Sequence, residues 1–84
     1  MKAKHRKTLA AIYAKPTLGG FVFSEIEALV VGLDGEMREG EGSRVVFELK
    51  ATRKYMRRPH PGKEAKKYQM EELRERFLQL EIKP

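Results

Sequence analysis

The sequence predicts an α+β domain: a three-stranded antiparallel sheet packed against helices, in the order α-α-β-β-β-α. Two patterns carry the prediction. Three segments repeat apolar residues at helical spacing, and one segment between the second and third of them, Arg44 to Lys50, alternates with period two. At 84 residues the chain suffices for one small domain, 1–84, with a modest core.

Helix 1 is expected from about Lys4 to Ala14, where Leu9, Ile12 and Tyr13 share a side and Pro16 stops the helix. His5, within a run of cations, is expected to be exposed. Pro16 to Gly20 reads as a turn, with Phe21 and Phe23 pinning it to the core. Ser24-Glu25-Ile26-Glu27 has the form of a capping box, and Ile26, Leu29, Val30 and Leu33 continue on one face of helix 2. Asp34-Gly35 ends that helix, with Gly35 suited to a left-handed cap.

Glu36 to Glu39 is a short polar strand, and Gly40-Glu41-Gly42-Ser43 a hairpin loop. In the central strand Val45, Phe47 and Leu49 face one side; Arg44, Val46, Glu48 and Lys50 face the other. A turn near Ala51-Thr52 leads to a third strand, about Arg53 to Arg58, which Pro59 and Pro61 terminate. Helix 3 starts near Lys66 or Tyr68 and runs to about Gln79, burying Met70, Leu73, Phe77 and Leu80, with Glu72 and Arg76 able to pair.

The net charge of +6 is unevenly spread. Met1 to Phe23 holds five Lys or Arg and no acid; Ser24 to Leu49 holds seven acids against Arg38 and Arg44; Lys50 to Lys67 holds eight cations and one acid, Glu64. Such blocks suggest one face for a polyanion and another for a different partner. The chain has no cysteine, which excludes disulfides and Cys-ligated zinc and fits a cytoplasmic setting. Its two histidines are far apart and have no local carboxylate cluster, so neither a metal nor another cofactor is expected. No apolar run approaches membrane-spanning length.

The strongest local constellation is Arg57-Arg58-Pro59-His60-Pro61-Gly62-Lys63. Proline restricts the backbone on both sides of His60. Neutral imidazole can take a proton from a ribose 2′-OH, and imidazolium can protonate a leaving 5′-oxygen. Arg58 and Lys63 can hold the phosphate. The plainer reading is a proline-rich turn with a solvated His. Lys66-Lys67-Tyr68 opens helix 3, where exposed amides and two lysines attract anions. Tyr68 can stack on a base or hydrogen-bond a phosphate; the plainer reading packs its ring on the sheet, and the two are not exclusive. Arg44 offers phosphate binding or transition-state stabilisation; its structural alternative is a sheet-surface charge opposite Glu39 or Glu48. Guanidinium cannot serve as a base.

Gly42-Ser43-Arg44-Val45-Val46-Phe47 and His60-Pro61-Gly62-Lys63-Glu64 resemble two signatures of the HicA family, the RNA-cleaving toxins of HicAB toxin–antitoxin pairs. Members show Gly-Ser-His-x-x-Phe at a strand start and His-Pro-Gly-Lys-Glu in the turn before the last helix. The likeness covers roughly the C-terminal two-thirds of the chain, and residues 1–15 look like the additional N-terminal helix of a longer branch. The resemblance implies a double-stranded-RNA-binding-domain-like fold, metal-independent cleavage of mRNA by attack of the 2′-OH on the phosphodiester, and neutralisation by a HicB-like antitoxin. The candidate catalytic residues are His60 and Arg44, and the candidate RNA-binding ones Ser43, Lys50, Arg53, Lys54, Arg57, Arg58, Lys63, Lys66, Lys67 and Tyr68. The family's His after Gly-Ser is Arg44 here. Either His60 supplies the proton transfer with Arg44 as stabiliser, or the chain binds RNA and cleaves it poorly or not at all. A third reading, a protein-interaction module, rests on the acidic block from Glu25 to Glu48.

Overall fold

Six elements follow one another in the predicted order. The computed structural model describes residues 1–84: α1 (Ala3–Tyr13), α2 (Phe23–Gly32), β1 (Glu36–Glu39), β2 (Arg44–Leu49), β3 (Thr52–Arg57) and α3 (Lys67–Gln79). The strands form one antiparallel sheet in the order β1-β2-β3. The helices cover the face that carries Val45, Phe47, Leu49 and Met56, and one apolar cluster joins these to Leu9, Ile12, Ile26, Leu29, Met70, Leu73 and Phe77. Phe23 stacks on Phe47 with ring centroids 6.0 Å apart, which ties the start of α2 to the centre of the sheet. No helix is long and apolar enough to cross a membrane.

His5 is buried, contrary to the exposed position expected from its cationic neighbours. It stands on the stripe of Thr8, Leu9 and Ile12, at helical spacing, and packs against Gly32 of α2. A Cβ on residue 32 would lie 2.7 Å from the imidazole ring, so the glycine makes room for it. The C-terminal carbonyls of α1 are satisfied from α3: Arg74 donates through Nε to Ile12 O (2.9 Å) and through Nη2 to Ala14 O (2.8 Å). A cation at that end also complements the helix dipole. The Tyr13 hydroxyl donates to Ile82 O, fastening the C-terminal tail to α1.

The expected capping box at Ser24 does not form. Helix α2 begins at Phe23, two residues earlier than a Ser24 cap would start it, and Val22 at its N-cap makes no side-chain bond. The tertiary structure sets this start. Val22 bridges to Glu64, Phe23 N donates to Lys63 O (2.9 Å), and Ala65 N donates to Phe21 O (2.7 Å). At the other end the left-handed residue is Asp34 (φ 65), not Gly35. Gly35 N donates to Val30 O and Asp34 N to Val31 O, which is a Schellman closure. Gly35 is required for another reason: a Cβ there would sit 2.6 Å from Leu49 Cδ2 and 2.7 Å from Glu48 O.

The β2–β3 connection is the pair Lys50-Ala51, both at positive φ (48 and 64), one residue earlier than expected. Type I′ geometry of this kind suits the twist of a hairpin but usually recruits Asn-Gly. Here Thr52 Oγ1 donates to Leu49 O (2.8 Å), and Lys50 Nζ donates to Leu80 O at the end of α3 (3.0 Å). The Glu72–Arg76 pair is absent. Glu72 instead accepts from Lys54 Nζ (2.9 Å), and Arg76 donates to Arg53 O (3.0 Å).

Candidate functional site

The sheet's second face is not covered by any helix. Its registers place Arg44 opposite Arg57, Val46 between Arg38 and Tyr55, and Glu48 between Glu36 and Arg53. Two of these arginines are neutralised: Arg38 donates to Glu36 and Arg53 to Glu48, each at 2.9 Å. Arg44 and Arg57 form no ion pair or hydrogen bond with any carboxylate, and Arg44 is not opposite Glu39 or Glu48 as the structural alternative required. Like charges directly opposite on a ladder destabilise it. With Tyr55 and Met56 they line a shallow cavity of ≈ 350 Å³. Tyr55 is 66% exposed.

The loop after β3 is rooted at this end of the sheet. Arg58 N donates to Ser43 O (2.7 Å), one residue before Arg44. The Arg58 side chain donates through Nε to Glu27 Oε2 (2.7 Å), and its Nη1 pairs with Glu39 Oε1 (2.9 Å). Hydrogen bonds to Glu27 and then Glu39 raise its pKa above the ordinary arginine value. Arg58 is therefore a clamp joining α2, β1 and the loop, rather than a free phosphate ligand. Phe23, Glu27, Arg58, Pro59 and Lys63 line a second cavity of ≈ 440 Å³ beside it.

His60 is exposed, and no hydrogen bond fixes its ring. It lines neither cavity. The Arg58–Ser43 bond nevertheless keeps its Cα within about 17 Å of that of Arg44, by chain length and strand spacing.

Helix α3 starts at the same end. Gln69 is buried; its Nε2 donates to Arg57 O (2.8 Å) while its Oε1 accepts from Lys66 N (3.0 Å). This is half of a capping box, since the Lys66 side chain has no acceptor to complete it. Lys63, Lys66 and Lys67 are exposed and form no ion pair. Tyr68 is 54% exposed rather than packed on the sheet.

The residues singled out from the sequence thus divide. Ser43, Arg44, Arg57, Arg58, His60, Lys63, Lys66, Lys67 and Tyr68 belong to one end of the molecule. Lys50 and Arg53 lie toward the opposite end of the β2–β3 hairpin, roughly 14 to 20 Å along the strands. Lys54 lies on the helix-facing side, held by Glu72. The acidic block does not form a separate face: Glu27, Glu36, Glu39 and Glu48 are each bonded to an arginine of the same chain. In the hairpin loop and the 58–66 segment only Glu41 and Glu64 remain unbonded acids beside the free cations.

Sequence reasoning missed Tyr55, Glu27 and Gln69. The alternation Arg53-Tyr55-Arg57 in a strand was the available signal for Tyr55. Nothing local distinguishes Glu27 or Gln69. No group of three or more His, Cys, Asp or Glu side chains is assembled for a metal. The largest cavity, ≈ 680 Å³, is elsewhere, between α1 and α2 beside His5. Comparison with known proteins finds nothing: no family, no curated protein and no solved structure matches the chain.

Proposed function

We propose that this protein binds RNA, gripping the phosphate backbone at the sheet end formed by Arg44, Arg57, Lys63, Lys66 and Lys67. The observation that carries the reading is the opposition of Arg44 and Arg57 without an acid, while the neighbouring arginines Arg38, Arg53 and Arg58 are all neutralised within the chain. A fold selected only for stability would separate two such guanidiniums or give them a carboxylate. A polyanion supplies the missing charge. The α-β-β-β-α order of α2 to α3 supports a double-stranded-RNA-binding-domain-like architecture, although architecture by itself does not fix the ligand. Affinity for a short RNA should fall steeply and log-linearly as salt rises. Binding indifferent to salt, or no binding at low salt, would overturn the reading.

A second reading, metal-independent cleavage of mRNA as in the HicA toxins, is favoured by one observation. His60 stands free in solvent, on the loop rooted beside Arg44. In that chemistry the base takes the 2′-OH proton, the 2′-oxygen forms a bond to phosphorus, and the P–O5′ bond breaks. A proton passes to the 5′-oxygen, giving a 2′,3′-cyclic phosphate and a 5′-hydroxyl. Arg44 would hold the charge that builds on the non-bridging oxygens. A HicB-like antitoxin would then be the natural regulator, acting in the cytoplasm, by covering the cationic end with acidic side chains. Incubation with mRNA in EDTA tests this reading: wild type should cleave and His60→Ala should not. Equal cleavage by the two would remove His60 from the chemistry.

A further inference from the structure

We infer that Tyr55 is a base-stacking platform, so that the open sheet face takes single-stranded rather than paired RNA. The inference rests on the RNA-binding reading and adds to it the state of the nucleic acid and the residue that reads it.

Tyr55 occupies the middle position of β3 on the uncovered face, with Arg53 and Arg57 two residues away on the same side. It is 66% exposed, an unusual placement for an aromatic ring in a domain this small, whose other sheet aromatic, Phe47, is buried. Its neighbour across the ladder is Val46, half-buried and uncharged. Tyr55 is thus paired with an apolar residue across the ladder, and it forms one wall of the ≈ 350 Å³ cavity whose other walls include Arg44 and Arg57. Residues two apart in a strand are separated by about 6.8 Å. One nucleotide can thus place its base on Tyr55 and its phosphate on the Arg44–Arg57 pair.

Charge complementarity selects the occupant, because the free guanidiniums adjoining the ring call for a phosphate. A duplex would satisfy them but would keep its base faces stacked internally and leave the ring bare. In a single strand the base faces are free, and stacking on an aromatic side chain tolerates any base. The exposed Tyr68 is the internal comparison. It stands on α3 among lysines and lines no cavity with the two arginines.

The test uses the full chain and a fluorescein-labelled RNA decamer, 2′-O-methylated so that no 2′-OH is present to attack the phosphate. The decamer is presented alone and as a duplex with its complement. Wild type should prefer the single strand. Tyr55→Ala should weaken single-strand binding by about 5- to 150-fold and leave duplex binding unchanged, whereas Tyr55→Phe should bind like wild type. As a measurement independent of truncation, intrinsic tyrosine emission of a Tyr68→Phe variant should be quenched by the single strand. Wild-type affinity in Tyr55→Ala together with unquenched emission would overturn the platform. If Arg44→Ala still weakened binding in that case, the phosphate reading would stand and only the stacking would fall. Binding of neither RNA form at any salt would remove both.

Discussion

Arg44 and Arg57 face each other across the β2–β3 ladder with no carboxylate bonded to either. Two guanidiniums so placed lower the stability of the free protein. Arg57→Thr should therefore stabilise it by about 0.2–1 kcal/mol in urea denaturation at low salt. The gain should shrink as salt screens the repulsion. A variant no more stable than wild type would mean that the opposition carries no strain.

Glu27 is the inner partner of the Arg58 clamp, with only 14% of its side chain exposed. Glu27→Ala should cost about 1–2 kcal/mol, because it leaves a half-buried guanidinium with one carboxylate instead of two. Amide exchange in residues 58–63 should accelerate more than in the sheet centre. Uniform acceleration across the chain would contradict a local clamp.

Gln69 joins β3 to α3 by accepting from Lys66 N and donating to Arg57 O. Gln69→Leu preserves approximate volume but strands both backbone groups. It should destabilise by about 1–3 kcal/mol and weaken RNA binding through the displaced lysines. Unaltered stability would show that water replaces the amide freely.

Burial raises the Tyr13 phenol above its ordinary pKa of 10.0. The folded state thus holds this proton more tightly than the unfolded chain does. The associated stability is complete below pH 10 and is lost as pH climbs through the folded value. Between about pH 8 and pH 11 the urea midpoint of wild type should fall further than that of Tyr13→Phe. Parallel falls would assign the alkaline loss to other groups, chiefly lysines.

Much of this fold could be read along the chain. The period-two pattern put Val45, Phe47 and Leu49 on the core face of β2, where they are, and the helical stripes of α2 and α3 were equally clear. What escaped depends on contacts distant in sequence. The pairing of Val22 with Glu64 overrides the capping preference of Ser24. The close approach of Leu49 and Glu48, not backbone handedness, demands Gly35. His5 was legible in principle, since Thr8, Leu9 and Ile12 share its stripe, but its charged neighbours obscured the pattern. For the site, sequence clustering located the cationic end of the molecule. It could not say which arginines remain free, because Arg58, Arg53 and Arg38 find their acids across 31, 5 and 2 residues respectively.

The most direct test of the central claim compares wild type with the Arg44→Ala/Arg57→Ala double variant, binding one single-stranded RNA across a salt series. If both guanidiniums contact phosphate, the variant should bind more weakly at low salt, and the magnitude of its log Kd against log salt slope should drop by about 1.4. Identical affinity and slope in the two proteins would contradict the claim that this pair is where the RNA backbone is held.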